Sequence, residues 1–388
     1  MPLRVPVASA VIGWAVDRAS DQEAVAAAFP RLQEWLSGVG EPPTFRQLEQ
    51  LAVRTRTPLG YLLMDSPPAL KLPVPDFREG YSNHQLGDPS PDLLAVVHQS
   101  IRRQEWYRDY AIENALAPVE VVGSAASWSP LEAAADMRAK LGYEVSERRG
   151  SWSDQRKALL SAFESLGGLT VATSMVGNNT HRLLDVEEFR GFSLVDPLAP
   201  LVFVNTRQTI NGQIFTLGHE FAHVWRGVSG VSLEDPEWEP QGDVERWCNA
   251  VASEFLVPRL DLRARFGEVR DLDLVEQLER LARVYRCGTL VVLQALRTNK
   301  LRQFDDFRAD YDAEKDRLKK LADDRESGDS GRGQFIYNQP FRIGERLSRA
   351  LIGDAISGRT AVNEAVHLMS LKSLSNFDNY ASYLGIRA

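Results

Sequence analysis

His219-Glu220-Phe221-Ala222-His223 packs two imidazoles and a carboxylate into one short run. On an α-helix, residues four apart share a face one turn apart, so the two rings can converge on a single metal ion. Glu220 follows the first histidine directly, which rotates its side chain off the ligand direction and towards a water on the metal's open position. That is the place of a general base. The chain has only six histidines, so two of them falling at this spacing is informative. The competing reading is a pair of histidines that merely belong to a buried helix.

A catalytic zinc commonly takes three protein ligands, two histidines and a glutamate among them, and keeps one position for water. Glu245, at the start of the next helical stretch, is the expected third ligand. Its competing role is a helix-start carboxylate favoured by the helix dipole. Glu254 is a rival ligand more than two turns further on and ranks below it. Asn249 lies one turn after Glu245 on the same face, where its amide oxygen could hold the non-ligating N–H of a zinc-bound histidine. A local backbone hydrogen bond is its alternative. Manganese or iron would suit a His/His/Glu site as well as zinc. His181, Arg190 and Arg226 are candidates to stabilise an oxyanion, each with a structural role as the alternative.

The elements that must position these groups follow from periodicity. Leu169–Thr173, Gly191–Val195 and Leu201–Val204 are short, β-rich and separated by turn residues, which predicts three strands. The spacing then predicts a helix from about Gln213 to Arg226 and another from about Val244 to Leu256, stopped by Pro258 and joined by a Gly/Pro-rich turn. Before this core, short helices are expected over residues 1 to about 70, among them Ala24–Phe29, Arg31–Ser37 and Phe45–Arg54. A proline-punctuated connector follows at Ser66–Pro75. Helices are expected over Pro91–Leu116, with Arg102, Arg103, Arg108 and Asp109 on its exposed face, then over Pro130–Leu141 and Asp154–Leu166. Beyond the core, Asp271–Tyr285, Thr289–Thr298, the charged Phe304–Arg325, Arg346–Ser357 and Ala361–Met369 read as helices, and Ser327–Gly331 as a flexible loop.

Composition bounds the setting. The chain has 388 residues, 44% hydrophobic and 25% charged, as expected of a soluble protein with two or three compact units. Such a chain builds its cores without help, so the metal is expected to be catalytic rather than a structural staple. A net charge of -8 argues against a protein whose main business is holding nucleic acid. Cys248 and Cys287 form neither a disulfide framework nor a metal cluster and are expected as buried thiols in apolar helices. Met1–Trp14 lacks the features of a signal peptide and no stretch reaches membrane-spanning length, so a cytoplasmic location is expected.

The run His219–His223, followed by Glu245-x-x-Cys248-Asn249-x-x-Ala252-x-x-Phe255-Leu256-Val257-Pro258, resembles the ImmA/IrrE metallopeptidase family. Phe189-Arg190-Gly191-Phe192 and Pro200–Asn205 are similar to its strands. Gly218 departs from the alanine usual before the first histidine. The resemblance implies His219, His223 and Glu245 as zinc ligands and Glu220 as the base. The fold it implies is α+β and predominantly helical, with a zincin-like core: a short three-stranded sheet packed on the histidine helix and the glutamate helix, flanked by helical N- and C-terminal units. The activity implied is zinc-dependent cleavage of a protein partner, such as a helix-turn-helix repressor or another regulator, with the strand Gly191–Val195 as the expected partner for an extended substrate.

Leu32-Gln33-Glu34-Trp35, Pro42-Pro43-Thr44, Leu72–Arg78 and Gln339-Pro340 resemble longer family members that fuse an Xre-type helix-turn-helix to the peptidase. The expected divisions are a degenerate helix-turn-helix-like unit at 1–75, a helical connecting region at 76–150, the metallopeptidase at 151–300 and a helical region at 301–388. Only Phe29-Pro30-Arg31 separates Ala28 from Leu32, which is short for a helix-turn-helix, and the basic residues of this unit are matched by acids. A DNA reader shows a cationic excess, so docking or dimerisation, a homodimer included, is the favoured role. The rival reading is a DNA-binding transcriptional regulator or antitoxin-like protein with a structural or sensing zinc site.

Overall fold

The computed structural model describes residues 3–19, 21–78, 88–233, 242–326 and 335–386. Two compact units divide the chain: Met1–Leu72 with Gly87–Ala95, and Pro73–Leu86 with Val96–Ala388. The Gly/Pro-rich turn expected after residue 233 and the loop expected at Ser327–Gly331 lie outside the described residues.

In the first unit, α1 (Ser9–Asp17), α2 (Gln22–Ala28), α3 (Leu32–Ser37), α4 (Phe45–Arg54) and α5 (Leu59–Leu62) surround a small core of Val11, Ile12, Leu32, Trp35, Leu48 and Leu51. Asp21 caps α2, and Thr44 with Gln47 closes a capping box on α4. α1 falls within the stretch expected to hold short helices, but its own bounds were not marked by the sequence. Its Ser-Ala-Val-Ile-Gly-Trp-Ala-Val-Asp run has no side-chain cap and carries a glycine, so neither a start signal nor propensity marks it.

α6 (Pro91–Glu113) has its first five residues in the first unit and the rest in the second, where α7 (Pro130–Leu141) and α8 (Trp152–Ser165) precede the sheet. Capping boxes start α7 (Ser129 with Glu132) and α8 (Ser151 with Asp154). Arg103 is not on an exposed face of α6 as expected. It is 3% exposed and donates to the Leu368 carbonyl and the Ser370 hydroxyl. Helical periodicity cannot separate a buried arginine with carbonyl partners from a solvated one.

The sheet has four strands rather than three: β1 (Leu169–Thr173), β2 (Gly191–Leu194), β3 (Leu201–Asn205) and β4 (Gly230–Ser232), in the order β1-β3-β2-β4. β1 runs parallel to β3, while β2 is antiparallel to both β3 and β4. At three residues, β4 is too short to show alternation in the sequence. Every strand residue is buried, as expected of apolar strands covered on both faces. Val202 and Val204 pack with Ile214, Leu217 and Phe221 of α9 (Ile210–Arg226), which follows β3. On the opposite face Phe192 and Phe203 stack with centroids 4.5 Å apart. The class is therefore α+β, predominantly helical.

After β4 come α10 (Asp243–Leu256), α11 (Arg259–Phe266), α12 (Leu274–Tyr285), α13 (Thr289–Thr298), α14 (Phe307–Glu326), α15 (Phe335–Ile343), α16 (Glu345–Ile356), α17 (Val362–Leu368) and α18 (Leu374–Tyr383). α10 packs along α9. A Cβ on Gly218 would lie 3.3 Å from Phe255 Cδ1 and 3.6 Å from Ala252 Cβ, so the glycine keeps the two helices close. The C-terminal end of α10 is held by Arg148, which donates to the carbonyls of Phe255, Leu256 and Tyr285. A cation there also complements the helix dipole. Cys248 and Cys287 are free and buried. Cys287 lies in the turn between α12 and α13 rather than in a helix. No helix among the described residues is long and apolar enough to cross a membrane.

Candidate metal centre

α9 begins at Thr209, whose side chain accepts from the Gly212 amide, and ends at Gly227 with φ 80°. That left-handed residue, costly for any side chain, folds the chain back under the last turn. The Val228 carbonyl is thereby delivered to His223 Nδ1 at 3.2 Å. One turn earlier, His219 Nδ1 lies 2.8 Å from Asn249 Oδ1 on α10. Both partners are oxygen acceptors, so each imidazole donates its Nδ1–H outward and turns a bare Nε2 inward.

The two Nε2 atoms stand 3.0 Å apart. Glu245, in the first turn of α10, closes the triangle with Oε2 3.3 Å from His219 Nε2 and Oε1 3.0 Å from His223 Nε2. Donors about 2.0–2.1 Å from a tetrahedral zinc stand roughly 3.3 Å from one another. The donor set, the two tautomers and the spacing therefore all fit a divalent ion of this size. Among the described residues this is the one group of three or more His, Cys, Asp or Glu side chains close enough to hold a metal. All three are buried: His219 and His223 at 0% exposure and Glu245 at 2%. Burial alone would push the Glu245 carboxyl up, but it is held well below the usual carboxylate range when His219 and His223 carry positive charge.

Glu220 is also fully buried and faces the sheet. Gly191 of β2 makes room for it: a Cβ there would come within 2.9 Å of Glu220 Oε1, 2.6 Å of Thr216 Cγ2 and 2.9 Å of the Phe203 carbonyl. Glu254 is apart from the triangle, its carboxylate accepting the Arg259 amide at 3.2 and 3.3 Å. Among the oxyanion candidates, Arg226 points away to the Ala126 carbonyl and the Trp247 ring. His181 is exposed and Arg190 half-buried.

Three features at the site had no role in the sequence reading. The Ser232 hydroxyl on β4 is 3.4 Å from His223 Nε2. Phe77 stacks on the His223 ring, with centroids 5.7 Å apart and planes at 17°. The segment carrying Phe77 pairs with β4 at Val231. Leu72–Arg78 was singled out by resemblance alone, and nothing in its spacing signals contact with a histidine far along the chain. The expectation that Gly191–Val195 receives a substrate strand is also corrected. β2 is an interior strand, hydrogen-bonded to β3 on one side and β4 on the other.

No curated protein matches the chain. Residues 343–383 match the model of a domain of unknown function (DUF8813). Residues 164–297 match the family model of the IrrE N-terminal-like domain, and the matched span carries His219, Glu220, His223, Glu245 and Asn249.

Proposed function

We propose that this protein is a zinc-dependent endopeptidase that cuts a regulatory protein partner. The observation that carries the reading is the buried Nε2/Nε2/carboxylate triangle, with the buried Glu220 next to His219 in the chain of α9. When bound by His219, His223 and Glu245, a zinc ion supplies Lewis acidity for the scissile carbonyl and the attacking water. The chain's own residues do the rest. Asn249 and the Val228 carbonyl fix the two tautomers, as outer partners of metal-binding histidines do. Glu220 takes the proton of the attacking water on a carboxylate oxygen and delivers it to the leaving amine. Burial of Glu220 keeps bulk water from competing for that proton.

The N-terminal helices serve docking or self-association in this reading rather than sequence-specific DNA binding. Arg31 is engaged by Glu34 at 2.6 Å and Glu41 at 3.0 Å, and Arg4 also pairs with Glu41. These cations are already neutralised by neighbours, unlike those of a phosphate-binding face.

The test is Glu220→Gln, which keeps shape and removes only the proton acceptor. Metal content by elemental analysis should stay near one zinc-like ion per chain, with zinc, manganese and iron distinguished in the same measurement. Cleavage of a partner co-purified from the native cell extract should fall about 10²–10⁴-fold. The variant should then retain the uncut partner. Wild-type cleavage by Glu220→Gln, or loss of its metal, refutes the assignment.

A further inference from the structure

Pro75, Asp76 and Phe77 make a single parallel bridge, Asp76 to Val231, on the outer side of β4. The Phe77 amide donates to the Val231 carbonyl and the Val231 amide to the Pro75 carbonyl, each at 3.0 Å. Prolines at 73 and 75 have no N–H to give, so this segment cannot lengthen the bridge into a ladder. Its far end is clamped by Arg78, which is 2% exposed and paired with Asp76 at 2.7 Å and Glu188 at 3.2 Å. Pro73, Pro75 and Asp76 are exposed and Phe77 is only half-buried, so the segment lies on the sheet edge as a strap and not inside the core. The Phe77 ring rests on His223 and on bare Gly230, where an added Cβ would sit 2.3 Å and 2.4 Å from ring carbons.

An extended peptide presented to an enzyme commonly adds to a free sheet edge, and a side-chain pocket then sets its specificity. β4 is the outer strand beside His223, and the strap has taken its backbone groups. We propose that residues 75–78 are an internal occupant of the substrate groove. The groove takes an extended peptide bearing an aromatic side chain, which lies over His223 and Gly230 as Phe77 does, and the strap must leave before such a peptide enters. This rests on the peptidase reading above and adds a substrate class and a means of restraint to it.

The experiment uses the full-length, zinc-loaded chain in a Glu220→Gln background, so that nothing is cut. The probe is the acetylated, amidated pentapeptide Val-Pro-Asp-Phe-Arg carrying a fluorophore, followed by anisotropy. With Arg78→Ala added, the strap loses its clamp and the probe brings its own arginine to Glu188. Affinity should rise at least about tenfold over the parent, and exchanging the probe's Phe for Ala should abolish the gain. A folded, metal-replete Arg78→Ala chain that binds no tighter, or binds the Ala probe equally, overturns the proposal. If Arg78→Ala does not fold, Phe77→Ala decides. It keeps the clamp and empties the ring's place, so it should bind N-acetyl-phenylalaninamide where the parent does not, and absence of that binding is equally fatal. In the Glu220 background, cleavage of unfolded casein should be faster for Arg78→Ala than for wild type, and an unchanged rate contradicts the restraint. Probe binding without casein cleavage by any Glu220 chain keeps the groove and removes the peptidase reading.

Discussion

Gly191→Ala tests whether the placement of Glu220 depends on a missing side chain. Gly191 is an ordinary extended strand residue facing Val204 on one neighbour and Ser232 on the other, so alanine brings no backbone penalty and the cost is steric. The new methyl would stand 2.6 Å from Thr216 Cγ2 and 2.9 Å from both Glu220 Oε1 and the Phe203 carbonyl oxygen. Comfortable carbon contacts lie at about 3.5–4.0 Å, so the shortfall is on the order of 1 Å. The Phe203 carbonyl belongs to the paired strand and cannot yield. Thr216 is tied to Gln208 Oε1 at 3.1 Å. Glu220 is the flexible neighbour, and it should absorb much of the displacement while α9 lifts slightly from the sheet. Overpacking of this kind costs about 1–3 kcal/mol, readable as a lowered denaturant midpoint. A reacting group misplaced by roughly 1 Å loses about 10²-fold in rate. Metal content should hold, because His219, His223 and Glu245 are untouched. The assays are urea unfolding, elemental analysis and cleavage of the trapped partner on one preparation. A variant that loses stability yet keeps the wild-type rate refutes the argument, since the carboxylate would then work equally well when displaced.

Other outcomes follow from the same geometry. Glu245→Gln should weaken metal binding severely, while Glu254→Gln, whose carboxylate serves the Arg259 amide, should bind metal like wild type; competition with a chromogenic chelator reads both. Asn249→Ala removes the acceptor of His219 Nδ1 and should weaken metal affinity about 10–100-fold, whereas Asn249→Asp, which keeps an acceptor oxygen there, should recover most of it. Burial pushes the Cys287 thiol up to about 12, with Arg148 offsetting only part of the effect. Its thiolate is therefore scarce at neutral pH, and with Cys248 equally buried neither should react with iodoacetamide until the chain is unfolded; rapid labelling of the native protein, read by mass, contradicts the packing of both.

The helix bearing the two histidines was legible because its signal is local. His219 and His223 share a helix face by spacing alone, and α9 with α10 follow from apolar periodicity and from Pro258. Asn249 was legible for a related reason, since it lies one turn beyond Glu245 and an amide on that face has a histidine N–H to meet. The strands β1, β2 and β3 showed as short β-rich runs separated by turn residues, with bounds that shift by at most one residue. What escaped is what long-range geometry alone decides. β4 has three residues and owes its pairing to Gly227 turning the chain back towards β2. Its absence from the sequence reading made β2 look like an open edge, and from that followed the mistaken substrate strand. Arg103 was misplaced by the same logic: periodicity gives a residue's direction around a helix but not what waits there, and here carbonyl and hydroxyl oxygens of a distant segment wait. The strap is the sharpest case. Leu72-Pro73-Val74-Pro75 reads as a connector because prolines break helices, and it does break them. Yet the missing N–H groups that make it a poor ladder strand also limit its hold on β4 to two backbone bonds. Sequence punctuation and weak attachment are one property of proline, and only the position of Val231 and His223 turns that property into a statement about function.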